Sequence, residues 1–211
     1  MTAVDDKETT RIRLRFIDLF KSFFVDQPDA EKLGRWRGII SALIEENIDP
    51  AFDQAVRTID ELLAKNNLRD LRQEHYQLFV DPFGEHLVHT SASFYRDGHA
   101  FGPTLIQYRD FLQEAGIKLH EDVHEPDDSL VLILDALATL VEREQENLQE
   151  SRRHQGVLVN HFLLPLCLDF TAGLRDNPEA VFYQACAELL CRYMDLEKGL
   201  FPEPAMEGET I

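Results

Sequence analysis

Three observations on the sequence of 211 residues predict an all-α fold, built as a single bundle of about eight to ten helices. Apolar residues recur three and four positions apart over most of the chain, as they do on the buried face of an amphipathic helix. Aspartate, asparagine or proline stands before several of these segments, which is typical of helix starts. No segment alternates apolar and polar residues as a half-buried strand would. One domain covering residues 1–211 is therefore expected.

The first part of the chain is predicted to form four helices. They lie in the stretches "RIRLRFIDLFKSFFV", "DAEKLGRWRGIISALIEE", "DPAFDQAVRTIDELLAKN" and "LRDLRQEHYQLF". The third begins with Asp49 as a predicted cap and Pro50 at the first helical position, where no backbone N–H is needed.

The stretch "VDPFGEHLVHTSASFYRDGHAFGP", residues 80–103, has neither a helical nor a strand period. Loops of this length in compact domains are usually functional or disordered. Its four aromatic residues argue against disorder: Phe83, Phe94, Tyr95 and Phe101. We predict a functional loop with a short helix near residues 91–95, which can also act as a hinge between two lobes.

Helical spacing resumes after this loop. Thr104 is a predicted cap and Gly116 a predicted end for "TLIQYRDFLQEAG". The next helix is expected to begin at Pro126, and apolar residues on two of its sides predict a central position. Two further helices are predicted in "GVLVNHFLLPLCLDFTAGL" and, from Asn177 onward, in "NPEAVFYQACAELLCRYMDLE". Residues 202–211 are expected to be a frayed tail.

Composition excludes several classes of protein and partner. The formal net charge of −18 repels phosphate backbones, so nucleic-acid binding is not expected. This charge either attracts a basic protein or peptide or only maintains solubility. Without a signal peptide or an apolar run of about 18 residues, the protein is expected in the cytoplasm and not inserted in a membrane. Cys167, Cys186 and Cys191 lack C-x-x-C spacing, which predicts buried, reduced thiols.

The stretch "HEDVH" carries the H-E-x-x-H spacing of zinc hydrolases, with His120 and His124 as ligands and Glu121 as general base. That chemistry needs both histidines on one face of a helix. Gly116 and Pro126 leave room for only one or two helical turns, because the residue before a proline avoids the helical region. We therefore expect a connector here and keep the zinc-dependent hydrolase as an alternative function.

The next residues, "EPDD", have two interpretations. With Glu125 before the helix and Pro126 as its first residue, Asp127 and Asp128 fall in the first turn. There they meet free backbone N–H groups and the positive end of the helix dipole. Alternatively, one carboxylate faces an open groove and receives a basic side chain. No nucleophile accompanies the two aspartates, so catalysis by this pair is not expected.

Four motifs follow one another between about residues 68 and 141. A helix ends in "YQLF", a loop leads to "SFYRDG", "FGPTLIQYRDFLQEAG" follows, and "EPDD" precedes an apolar helix. In order and spacing they resemble the TorD/DmsD/NarJ-type family of molybdoenzyme maturation chaperones. The resemblance implies an all-helical cytoplasmic chaperone that is not an enzyme and holds no cofactor. The implied partner is a molybdopterin-containing oxidoreductase subunit, whose twin-arginine leader or apoprotein is bound until the cofactor is inserted.

The acidic motif of this family is usually E-P-x-D-H. Glu125, Pro126 and Asp128 match it, but Ser129 stands where histidine is usual. The resemblance therefore supports peptide binding more than a histidine-dependent step such as nucleotide binding. The paired arginines of a leader prefer carboxylates, and the apolar stretch that follows them needs an aromatic-lined groove. The predicted peptide-binding residues are Tyr76, Phe79, Phe94, Tyr95, Glu125, Pro126, Asp127 and Asp128.

A helical adaptor for some other protein is a further alternative. The chaperone interpretation predicts no catalytic and no metal-binding residues. It leaves two oligomeric states open, a monomer and a domain-swapped homodimer, and the loop at residues 80–103 can serve as the hinge of a swap.

Overall fold

The computed structural model describes residues 3–85, 87–118 and 125–201, and their regular structure is helical. The π-helical turn Tyr76–Val80 directly follows the fourth α-helix, and the π-helical turn Val159–Leu163 joins the eighth α-helix to the ninth. A 3-10 turn at Arg143–Gln145 follows the seventh α-helix. The α-helices are α1 Ala3–Phe24, α2 Ala30–Ile44, α3 Pro50–Lys65, α4 Leu68–His75, α5 Ala92–Asp97, α6 Pro103–Glu114, α7 Leu130–Glu142, α8 Leu148–Leu158, α9 Leu164–Arg175 and α10 Phe182–Gly199. The all-α prediction is confirmed.

Helix α7 lies at the centre of the bundle, as its two apolar sides predicted. Its sequence "LVLILDALATLVE" is buried at most positions, and it packs against α1 on one side and α8 on another. Helix α10 packs against α3 and α9, and α2 packs against α3. Aromatic rings from α1, α2, α3 and α10 fill the space between these helices.

A buried ion-pair cluster joins the first helix to the last. The Arg13 guanidinium of α1 donates to both carboxylate oxygens of Glu197 in α10, at 2.9 and 2.8 Å. It also donates to Glu144 at 2.9 Å and to the side-chain oxygen of Gln155 at 2.6 Å. The Tyr193 hydroxyl donates to Glu197 at 2.5 Å. The bonds from Arg13 are charge-assisted and largely buried. They therefore fix the position of α1 along the bundle.

The predicted helix starts are correct in some places and wrong in others. Asp49 caps α3 with Pro50 at its first position, as predicted. Helix α7 begins at Leu130 with Ser129 as its cap, not at Pro126 as predicted. The reason is a tight turn in which the Ser129 N–H donates to the Pro126 carbonyl, which turns the Asp128 side chain inward.

Two further starts differ because side chains outside the helix supply the caps. Helix α6 begins at Pro103, and Thr104 does not cap it but donates its own N–H and hydroxyl to Asp97. Helix α10 begins at Phe182, five residues after Asn177. There Glu74 of α4 accepts the N–H groups of Val181 and Tyr183, at 2.8 and 2.9 Å.

The three cysteines are buried and not disulfide-bonded, as predicted. Burial raises the pKa of each thiol, so each is held in its protonated, unreactive form. The helical run from Leu148 to Arg175 is long and apolar enough to span a bilayer by length and composition alone. Half of its most apolar window, 50%, is buried against the rest of the protein.

Two predictions fall outside the described residues. The H-E-x-x-H stretch at residues 120–124 is one, and the tail at residues 202–211 is the other. Within the described ranges, no group of three or more histidine, cysteine or acidic side chains is placed to hold a metal ion. The division of the chain into one domain or two hinged lobes stays a prediction.

Candidate functional site

Two motifs that are far apart in the sequence pair along their backbones. The Leu130 N–H donates to the Thr90 carbonyl at 2.8 Å, and the Ala92 N–H donates to the Asp128 carbonyl at 3.0 Å. These bonds form an isolated antiparallel bridge between Ser91 and Ser129. The start of the "SFYRDG" helix therefore lies directly against the "EPDD" turn.

Asp128 lies at the centre of this pairing and is fully buried. Its Oδ2 atom accepts the Ser93 N–H at 2.6 Å and so caps the short helix α5. Its Oδ1 atom has no partner among the described residues, and neither does the buried hydroxyl of Tyr108. Burial and the nearby Asp128 carboxylate raise the pKa of Tyr108. In this conformation Asp128 stabilises the loop and is not open to a peptide.

The other acidic residues of the motif reach solvent. Asp127 is partly exposed and accepts the Arg109 Nε–H of α6 at 2.5 Å. Glu125 is exposed and accepts the Ser129 hydroxyl at 3.0 Å, and Pro126 between them is half-buried. The surface beside α6 therefore carries two carboxylates, one of which already binds a guanidinium group.

The two aromatic residues of α5 are half-buried. The Phe94 ring stacks on the His89 ring with centroids 3.6 Å apart, and the Tyr95 hydroxyl donates to the His89 carbonyl at 2.8 Å. Burial and the nearby Asp169 carboxylate raise the pKa of Tyr95. Helix α5 packs on α9, so both rings serve partly as packing and leave part of their surface open.

The remaining two predicted aromatics lie on the π-helical turn after α4. Phe79 packs into the core against Phe24 and Phe170. Tyr76 is 42% exposed and borders a depression of about 460 Å³ whose other lining residues include Arg69 and Arg72. The neighbourhood of Tyr76 is therefore basic, which does not suit the paired arginines of a leader.

Sequence reasoning missed the role of the turn "DGHAFGP" before α6. Gly98 and Phe101 both have left-handed backbones, with φ values of 78° and 63°. Phe101 is the one non-glycine residue with positive φ in the described ranges, and 69% of it is exposed. Its N–H donates to the Ser93 hydroxyl oxygen at 3.2 Å. A phenylalanine directly before Gly-Pro at a helix start was the available signal.

A second missed feature is an apolar groove of about 820 Å³ between α1 and α2. Its lining includes Ile12, Phe16, Ile39 and Leu43. Trp36 of α2 contacts Phe23 and Ser22 of α1 at one end of this helix pair, and the groove lies beyond that contact. The groove carries both basic and acidic residues at its rim. Its charge therefore favours neither an acidic nor a basic partner.

Known proteins resemble this chain over most of its length. A family model described as "Nitrate reductase delta subunit" matches residues 45–172, which include both paired motifs. The chaperone protein TorD of Vibrio vulnificus (strain YJ016) is 23% identical over 190 residues, which cover 83% of this chain and 88% of that protein. The chaperone protein TorD of Vibrio parahaemolyticus (serotype O3:K6) is 24% identical over 194 residues, which cover 85% and 90%.

Proposed function

Because this chain belongs to the nitrate reductase delta subunit family of molybdoenzyme maturation chaperones, we propose that it binds the twin-arginine leader of a molybdopterin-containing oxidoreductase subunit. It does so in the cytoplasm and holds the apoprotein until the cofactor has been inserted. One observation carries the proposal. The backbone pairing of residues 90–92 with residues 128–130 brings the turn that carries the exposed Glu125 and the partly exposed Asp127 to the segment that carries Phe94 and Tyr95.

The chemistry of the Glu125 and Asp127 carboxylates suits a leader with paired arginines. Guanidinium groups bind carboxylates through two parallel hydrogen bonds. Asp127 already accepts such a group from Arg109, whose side chain is 56% exposed. An exposed ion pair contributes at most about 1 kcal/mol, so an arginine of the client can replace Arg109 at little cost.

The proposed activity is binding without bond chemistry. The three cysteine thiols are buried with raised pKa values and offer no nucleophile. The zinc hydrolase alternative requires a metal ion bound by His120 and His124. Metal analysis of the purified protein separates the two functions, since about one zinc ion per chain would favour the hydrolase.

Calorimetry with synthetic leaders tests the proposal. Peptides would carry the leaders of the molybdopterin oxidoreductases encoded in the same genome. Matched control peptides would have both arginines replaced by glutamine. We expect one leader to bind, its control to bind more weakly, and the difference to shrink as salt concentration rises. If no leader released or absorbed heat on mixing, the proposal would be wrong.

A further inference from the structure

Phe101 and Ile106 occupy two positions of α6 that usually hold a contacting apolar pair. Gly102 is the N-cap of this helix, so Phe101 is the residue before the cap and Ile106 is the fourth helical residue. Apolar side chains at these two positions commonly pack together as a hydrophobic staple. Here Phe101 is 69% exposed and Ile106 is 60% exposed. The pair is therefore largely open to solvent.

The backbone around Phe101 is fixed by several contacts. Asp97 accepts both the N–H and the hydroxyl of Thr104, each at 2.9 Å, and the Ser93 hydroxyl accepts the Phe101 N–H. These bonds hold Phe101 at φ 63°, a left-handed conformation that residues with a Cβ atom rarely adopt. Unfavourable backbone conformations that are held in place by their surroundings concentrate at binding sites.

Acidic groups lie next to this apolar pair. Asp110 is exposed one helical turn after Ile106 and forms no ion pair with any residue in the described ranges. Arg109 beside it binds Asp127 of the acidic motif. The start of α6 thus presents apolar groups, with the Asp110 carboxylate one turn later and the Asp127 carboxylate of the acidic turn bound to Arg109 beside it, on a chain of net charge −18. Its charge and apolar surface match a peptide with cations next to an apolar stretch.

We propose that Phe101 and Ile106 form the apolar contact for the stretch that follows the paired arginines of the client leader. Asp110 and Asp127 bind the arginines. This inference rests on the proposed function and adds the surface that binds the apolar stretch. That surface is distinct from the aromatic residues that the sequence indicated.

Alanine variants test this surface with the leader peptides described above. We expect Phe101→Ala and Ile106→Ala each to weaken leader binding about tenfold, as loss of a central apolar contact does. The matched control is Phe83→Ala. Phe83 belongs to the same loop, and its side chain is 94% exposed. The affinity of this variant should stay within about twofold of the original. Asp110→Asn should reduce the salt dependence of binding.

A glycine variant separates a binding role from a structural one. Glycine adopts φ 63° without strain, so Phe101→Gly should raise the melting temperature while it weakens leader binding. A residue with only a structural role would not move these two quantities in opposite directions. If the unchanged protein binds a leader and both alanine variants bind it equally well, this inference is wrong and the proposed function stands. If the unchanged protein binds no leader, both are wrong.

Discussion

Gly102 lies directly against the side chain of Asp97. A Cβ atom built on Gly102 would be 2.7 Å from the Asp97 Cβ and 2.8 Å from its Cγ, closer than any normal contact. Asp97 cannot move away freely, because its carboxylate accepts two hydrogen bonds from Thr104 at the start of α6. The close approach of these two residues fixes the turn that presents Phe101.

We predict that Gly102→Ala lowers the free energy of unfolding by about 2–3 kcal/mol, since it adds overpacking and breaks the Asp97 cap. Urea denaturation measures this change. The matched control is Gly38→Ala in α2, where an added Cβ meets no atom within 4 Å. That substitution should stabilise the protein by about 1 kcal/mol, because alanine is the better helix former. Equal effects of the two variants would contradict the packing argument.

Arg13→Met should destabilise the protein by about 3–5 kcal/mol, because it leaves the buried carboxylate of Glu197 without its cation. Denaturant unfolding at neutral pH gives the value. Arg11→Met, an exposed change on the same helix, should alter stability by less than about 0.5 kcal/mol. Equal stability of the two variants would show that the ion-pair cluster does not stabilise the fold.

Asp127 and Asp128 should differ in what they control. Asp128→Ala removes the acceptor of the buried Ser93 N–H, so we expect a loss of stability of about 1–3 kcal/mol. Asp127→Asn changes a partly exposed carboxylate and should leave the melting temperature nearly unchanged while it weakens leader binding. Thermal unfolding and calorimetry on both variants check this division. The reverse assignment would show that the carboxylate of Asp128 is the one that meets the client.

His75 should make stability depend on pH. Burial, with a smaller effect of Lys32, lowers the pKa of its imidazole from 6.5 to about 4. Between these values the unfolded chain binds more protons, so the free energy of unfolding falls as the pH drops from about 6.5 towards 4, by up to about 3 kcal/mol. His75→Phe keeps the ring contacts with Phe79 and Tyr183 and cannot titrate. The free energy of unfolding of this variant should therefore fall less between pH 7 and pH 5 than that of the unchanged protein. Urea denaturation at both pH values measures the difference.

Sequence patterns predicted the fold better than the helix ends. The helical period of α7 depends on its own residues, so its central position could be predicted from them. Its start could not, because Pro126 is compatible both with a first helical residue and with the tight turn that the structure contains. The start of α10 depends on Glu74, which is more than a hundred residues away in the sequence. Local signals such as Asn177 and Pro178 carry no information about such a partner.

For the candidate site, the sequence named residues from two distant stretches, and the structure pairs the backbones of residues 90–92 and 128–130. Their role in peptide binding stays a prediction. Individual exposure was harder to predict. Asp127 and Asp128 are adjacent and chemically alike, yet one is partly exposed and the other fully buried, since the turn directs them to opposite sides. The exposure of Phe101 was missed because its left-handed backbone is held by contacts with Ser93 and the Asp97–Thr104 pair, and the helical period of the sequence does not report such contacts.

Arg13 and Glu197 meet although 184 positions separate them. A ribosome makes α1 first and α10 last. The Arg13 guanidinium group therefore has no Glu197 carboxylate to bind until almost the whole chain has been synthesised. Helix α1 can pack against α7 before this point, but the Arg13–Glu197 pair forms only once α10 has been made. A chain that is released before α10 has been made contains Arg13 without Glu197, in a region that is buried in the folded protein. We expect cellular proteases to degrade such chains.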